Sequence, residues 1–400
     1  MNLLLFDASE RQTLLPLTFA RPVGDLRLGI LTIAERWERR LNASVSFLTQ
    51  DHLAPLFPPK ISEQNLLVNG AVSPTTELVK LLKELPLATA YYQDGQPIAA
   101  CLDGAMVSAL NKGQGLDALT AVTRRELTVD LFHIVHPCDL FTQNDRALRE
   151  DFTLLTAGRT SAAVSPTNTI IGPPDQLFLE PGVILEACTI NCSTGPVYFG
   201  KDAVILEGCL LRGPLALGEG AVLKMGTKVY GATTLGPFCK GGGEINNAIF
   251  QANSNKGHEG YLGNAIIGEW CNLGADTNAS NLKNDYSNVK TWSYAAGGMR
   301  QTGLQFHGLV MGDHVKVGID TMFNTGTVVG FSANVFGAGF PPPFVPSFTW
   351  GGAQGLQEYR LDRAMATAER VMGRRGQQFS AHHRHLFERV FDDEARYRSA

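Results

Sequence analysis

The chain is short of charge. Asp, Glu, Lys and Arg make up 18% of its 400 residues, against about a quarter in an average protein. It lacks any long basic run and its formal net charge is −4, which argues against a protein that binds nucleic acid electrostatically. It lacks any stretch of about 18 apolar residues, so no membrane span is expected. The seven cysteines (101, 138, 188, 192, 209, 239 and 271) form no CxxC pair and no zinc-like Cys/His set. An odd number at largely apolar positions predicts reduced, mostly buried thiols and a cytoplasmic protein. The opening residues reach a charge at Asp7 without a basic flank, so no secretory signal is expected. His382, His383 and His385 have no acidic or cysteine ligands at matching spacing and read as a solvated helix face.

Glycine is scarce at both ends: 7 in residues 1–155, 30 in 156–340 and 5 in 341–400. Residues 1–155 alternate strands and helices. Strands are expected at 2–7, 44–49, 65–69, 88–92 and 131–136, and helices at 30–41 and 75–85, the second capped by Thr75. That alternation predicts an open α/β sheet. Residues 156–170 read as a linker, and 341–400 as a proline-rich crossover followed by capping helices.

Residues 171–340 carry an internal repeat. Phe199, Ile205, Leu211, Leu217, Leu223, Val229 and Leu235 are spaced by six, and so are Met311, Val317, Phe323, Val329 and Val335. Gly200, Gly218 and Gly236 fall 18 apart. Three six-residue strands per coil, one aliphatic residue inward per side and small residues at the corners give a left-handed parallel β-helix. A β-sandwich would not produce sixes in phase. The rhythm breaks at 241–262 and 274–308, where surface loops carrying the chemistry are expected.

The stretch KGHEGYLGNAIIGEWCNLGADTNASN, followed by GIDTMFNTGTVVG, resembles the acetyltransferase half of the bifunctional N-acetylglucosamine-1-phosphate uridylyltransferase/glucosamine-1-phosphate acetyltransferase family. Segments 14–32 and 334–341 are similar to a shorter variant of that family, so the resemblance covers nearly the whole chain. It implies His258 as general base toward a sugar amine attacking acetyl-CoA, with Glu244 orienting it. It implies Lys224, Tyr261, Asn272 and Asn281 at the sugar phosphate, and Gly274, Ala275 and Gly318 at acetyl-CoA, with backbone N–H groups of Gly274 and Ala275 for the thioester oxyanion. Asn246 stands where the family has a second basic residue, which leaves phosphate neutralisation to Lys224, Lys240 or Lys256.

For the N-terminal part the resemblance implies nucleotidyl transfer from a nucleoside triphosphate to a sugar 1-phosphate with Mg²⁺. Residues 7–27 hold a single glycine instead of a Gly-rich loop. Arg11, Arg21 and Arg27 are the phosphate candidates, although Arg21 and Arg27 could equally pair with Asp25 and Asp7. Asn69-Gly70 stands where a metal-binding Asp is expected, which leaves Asp139 and Asp103 as Mg²⁺ candidates. The expected whole is a cytoplasmic homotrimer of the UDP-N-acetylglucosamine pathway that binds neither nucleic acid nor membrane. Its rivals are a thymidylyl- or adenylyltransferase whose β-helix only assembles the oligomer, and a binding scaffold.

Overall fold

The computed structural model describes residues 2–111 and 122–398. The chain divides into two compact units. The first takes the chain up to Leu14, Ala20–Leu26 and Leu31–His136; the second takes Leu15–Phe19, Arg27–Ile30 and everything from Pro137 on.

In the first unit the run Asn2–Phe6 lies inside a six-stranded sheet, parallel to Val45–Leu48 on one side and Gln64–Asn69 on the other. Leu3, Leu4 and Leu5 are all buried, as befits a strand covered on both faces. The sheet continues through Gln96–Asp103, Thr89–Gln93 and Thr123–Glu126, with Gln96–Asp103 antiparallel to both its neighbours. The helix expected over 30–41 begins at Ile33. Thr32 stops it from starting earlier: its hydroxyl accepts from Glu35 N and the Glu35 carboxylate accepts from Thr32 N, a reciprocal cap. The strand expected at 131–136 narrows to Phe132–His133, which pairs with Val72–Ser73 outside the main sheet.

The first compact unit itself reaches only to His136. Residues 137–156 form the helices Pro137–Thr142 and Asn144–Thr156, and both pack within the second unit. Asn144 Nδ2 donates to Ala232 O at 2.7 Å, and Phe141 meets His307 edge-on at 5.4 Å. Gly29 N donates to Asn144 Oδ1 at 2.8 Å, which ties Arg27–Ile30 into the same body.

The second unit is a three-sided parallel β-helix. Its inward columns are the phased aliphatics of the sequence. One side stacks Phe199, Leu217, Leu235, Phe250, Ile267, Met311 and Val329, each directly paired with the next. All are buried. Regular coils repeat every 18 residues, as in Val204↔Val222↔Lys240.

Two expectations need correction here. Residues 241–262 are not a loop. Glu244–Asn246, Ile249–Phe250, Asn255–Lys256 and Tyr261–Gly263 continue all three sides in register. Lys228 pairs with Glu244 and Lys240 with Asn255, so these coils are two or three residues short. Corner residues were lost, and a fixed six-residue count slips out of phase. The real insertion runs between Asn278–Ala279 and Val310–Met311, and it carries the hairpin Lys290–Ser293/Gly298–Gln301. The β-helix also does not stop at 340. Phe344–Val345 pairs with Val328–Val329, and Trp350–Gly351 with Asn334–Val335, so the proline segment is part of a further coil.

The helices Leu361–Gly373 and Ala381–Asp393 close against this unit. Phe387 packs on Phe331 (4.8 Å) and His314 (5.1 Å). His383 Nδ1 accepts from Ser380 N, so the expected solvated histidine cluster includes a helix cap.

Candidate functional sites

Call the ladder through Lys228, Glu244, Tyr261 and Asn278 the first side, and the ladder through Val222, Lys240, Asn255, Asn272 and Lys316 the third side. His258 lies on the corner that leads from third to first, between Asn255–Lys256 and Tyr261–Gly263. This corner needs a left-handed residue in each coil, supplied by Gly226, Gly243, Gly260 and then Asp276 and Asp320. Gly274, Ala275 and Gly318 stand on the same corner in the following coils. His258 is exposed. Lys224 comes alongside it: a Cβ built on Gly257 would lie 4.0 Å from Lys224 Cε.

Lys256 is excluded as a phosphate ligand. It occupies an inward position, paired between Gly241 and Leu273, and is 1% exposed. Its ammonium donates to Gly242 O and His258 O at 3.0 Å and to Glu259 O at 3.4 Å. Burial pulls its pKa down to about 8. The lysine is a tie beneath the His258 corner.

On the first side, Glu244 and Tyr261 are direct ladder partners. The Glu244 carboxylate accepts from Tyr230 OH at 2.5 Å; among the described residues no hydrogen bond joins it to His258. Tyr261 folds over Gly263, where an added Cβ would lie 2.3 Å from the Tyr261 hydroxyl and 2.6 Å from Asn281 Nδ2. Asn281 opens the insertion and donates to Asn264 Oδ1 at 2.6 Å. Tyr261 and Asn281 are thus brought together. Asn272 is not among them; it points outward on the third side, exposed, between Asn255 and Lys316.

The two expected oxyanion donors differ in their backbone engagement. Gly274 N already donates to Val317 O at 3.0 Å and Gly318 N to Val335 O at 2.8 Å, so both are spent in the ladder. Their missing side chains are explained by packing, since a Cβ on Gly274 would lie 2.6 Å from Gly318 C and one on Gly318 2.9 Å from Phe336 Cβ. Ala275 N has no acceptor among the described residues and is left as the available donor.

In the first unit, Arg11 and Arg21 come together. Arg11 Nη1 donates to Arg21 O at 3.2 Å and lies 3.6 Å from the Asp7 carboxylate, and Arg21 pairs with Asp25 at 3.2 Å. Arg27 goes elsewhere: its Nε donates to Gln251 O at 3.0 Å and its N to Gln251 Oε1 at 2.8 Å. All three guanidinium groups are buried, and Arg27 is a tie inside the second unit. Asp103 caps the helix Gly104–Asn111 by accepting from Met106 N. Asp139 sits in the helix Pro137–Thr142 beside Cys138, whose thiol burial and that carboxylate push up to about 11. No group of three or more His, Cys, Asp or Glu that could hold a metal occurs among the described residues.

The sequence reading missed a cluster at the ends of the first-unit strands, built on the buried Glu10 and Asn69. Glu10 Oε1 accepts from Asn69 Nδ2 (3.1 Å) and lies 2.7 Å from His133 Nε2. Burial alone would raise the Glu10 carboxyl, but the His133 contact and the other donors outweigh it and hold it below the ordinary value. Glu10 Oε2 is buried without a partner. Asn69 was visible only as the residue where an Asp was expected; nothing in the spacing of 10, 69 and 133 connects them.

The family model for sugar nucleotidyl transferases matches residues 3–160. Among curated relatives, the bifunctional protein GlmU of Geotalea daltonii is 25% identical over 53% of this chain and 47% of its own length. That of Methanocaldococcus jannaschii is 36% identical over 23% and 22%. That of a Mycobacterium species (strain KMS) is 27% identical over 73% and 55%. The chain thus spans about half or less of the length of these relatives. Among solved structures, a UDP-N-acetylglucosamine acyltransferase from Campylobacter jejuni aligns with 56% of this chain and 95% of its own, at 12% identity and a TM-score of 0.26.

Proposed function

We propose, for a chain whose residues 3–160 match the sugar nucleotidyl transferase family model and that is similar to bifunctional GlmU proteins, a transferase of sugar-nucleotide synthesis with two activities. The β-helix moves acetyl from acetyl-CoA to the amine of an amino-sugar phosphate, glucosamine 1-phosphate by resemblance. The first unit moves a nucleotidyl group to the sugar 1-phosphate, on the route to UDP-N-acetylglucosamine. The observation that carries the reading is the corner itself: an exposed imidazole at His258, with Lys224 beside it and Glu244, Tyr261 and Asn281 on the adjoining side.

The chemistry follows from those groups. The amine attacks the thioester carbon, a C–N bond forms and the C–S bond breaks. Neutral His258 takes the proton the amine sheds and returns it to the departing thiolate. In this reading Ala275 N–H, on the same corner one coil further along, meets the oxyanion. Tyr261 OH and Asn281 suit sugar hydroxyls. The divalent cation that nucleotidyl transfer needs comes with the triphosphate, since Mg²⁺ is commonly held by substrate phosphates and few protein ligands.

The working form we infer is a homotrimer in the cytoplasm. Seven free, buried cysteines favour a reducing compartment, and no described helix is long and apolar enough to cross a membrane. Release of CoA thiol from acetyl-CoA on adding glucosamine 1-phosphate tests the first activity. Pyrophosphate release across UTP, dTTP and ATP with sugar 1-phosphates tests the second. Absence of thiol release sinks the acetyl-transfer reading; absence of pyrophosphate with every pair sinks the other.

A further inference from the structure

The corner that leads from the first side to the side of Phe199, Leu217 and Leu235 carries a chain of amides. Gly231, Asn247 and Asn264 turn it in successive coils, each in the left-handed region (φ 67°, 49° and 45°), and Asn281 takes the same place in the next coil. The backbone alone does not ask for the amides, since Gly231 makes the turn without one. The direction of the chain is fixed at its inner end. Asn247 faces two main-chain carbonyls, Phe141 O and Ala232 O, and a carbonyl can only accept. Its Nδ2 donates to them at 3.1 and 3.2 Å, and its Oδ1 accepts from Asn264 Nδ2 at 2.9 Å. Asn264 Oδ1 is then turned to the next coil, where it accepts from Asn281 Nδ2 at 2.6 Å. The reverse direction would set carbonyl against carbonyl and NH₂ against NH₂. Asn281 is left presenting Oδ1. That oxygen has no donor among the described residues and is not sealed from solvent, and its amide lies beside the Tyr261 hydroxyl over Gly263.

We propose that Asn247 and Asn264 are positioning residues that fix Asn281 as a hydrogen-bond acceptor, so that the ligand meets it with a donor, an amine or hydroxyl of the sugar and not its phosphate. The proposal rests on the acetyl-transfer reading for the identity of the ligand; the direction of the amides does not depend on it. It separates Asn281 from Lys224, with which the resemblance grouped it at the sugar phosphate. Two sugar groups could supply the donor: the substituent at position 2, or another ring hydroxyl.

Neutron diffraction from crystals of the whole deuterated protein, without ligand, tells the two ends of each amide apart. Asn247 Nδ2 on Phe141 O and Asn281 Oδ1 facing outward are the expected result; Asn281 Nδ2 facing outward overturns the proposal whatever the protein binds. Calorimetric titration with glucosamine 1-phosphate, glucose 1-phosphate and 2-deoxyglucose 1-phosphate reads the consequence. Asn264→Gly keeps the left-handed corner and lets the Asn281 amide turn over. It should weaken binding about five- to tenfold in a protein that still melts cooperatively. In an Asn281→Ala background the same change should cause no further loss. If the position-2 group is the donor, the two sugars that carry one lose their advantage over 2-deoxyglucose 1-phosphate; if it is another hydroxyl, all three weaken alike. Wild-type affinity in Asn264→Gly, or an equal loss in both backgrounds, overturns the relay. The Asn264→Gly effect in a protein that transfers no acetyl group keeps the relay and removes only the acetyl-transfer reading. If wild type binds none of the three sugars, that reading fails and the amide directions alone decide the relay.

Discussion

Lys256 shows how one inward position governs a corner. Its ammonium holds three carbonyls, two of them at His258 and Glu259. Burial lowers its pKa to about 8, and does the same to Lys316. Between about pH 8 and 10.5 the unfolded chain holds a proton that the folded chain has given up at each lysine, so these residues add stability as pH rises. Urea midpoints from pH 8 to 10 should therefore climb more in wild type than in Lys256→Met; parallel curves would contradict the assignment. His307 acts on the acid side. Burial drops its pKa to about 4. From pH 6.5 down to 4 the unfolded imidazole takes a proton that the folded one refuses, so stability falls across that window. His307→Asn should flatten the decline, as read by thermal melts at pH 7, 5.5 and 4.

At the scale of single coils, Gly263 is where fold and chemistry meet. Its missing side chain makes room for the Tyr261 hydroxyl and the Asn281 amide. Gly263→Ala should displace Tyr261 and lower acetyl transfer on the order of 10²-fold. Unchanged turnover would remove Tyr261 from the site. Elsewhere in the solenoid the inward residues serve packing alone. Leu217→Ala, buried at 0% exposure between Phe199 and Leu235, should cost about 2–5 kcal/mol of unfolding free energy, measured by denaturant titration. These inward columns were legible because period six with glycine corners has no other common reading. The coils around 241–262 were not, because shortened corners shift the phase while the ladder stays in register. The contact of Arg375 with Asn255 was invisible for another reason: the spacing of a helix tip says nothing about which coil it will touch.

For the whole molecule, the two units differ in how much of their chemistry the sequence disclosed. The β-helix motif around His258 brought most of its predicted residues to one corner and the side next to it, with Asn272 set apart on the third side. In the first unit Arg11 and Arg21 are drawn into internal pairs, Arg27 is a tie inside the second unit, and the Glu10–His133–Asn69 cluster links positions far apart in sequence. Glu10→Gln should weaken the contact with His133, lower stability near neutral pH and flatten its decline toward acid, because a carboxyl with a depressed pKa contributes above its unfolded value and loses that contribution as pH falls; thermal melts at pH 7 and pH 3 check it. Assembly is tested by light scattering, where a homotrimer gives about three times the 43.3 kDa chain mass. The most direct test of the central claim is acetyl transfer from acetyl-CoA to glucosamine 1-phosphate by wild type and by His258→Ala, with matched melting curves. The account predicts turnover by wild type and a loss of roughly 10²–10⁴-fold in kcat for the variant. Equal turnover in the two proteins would contradict it.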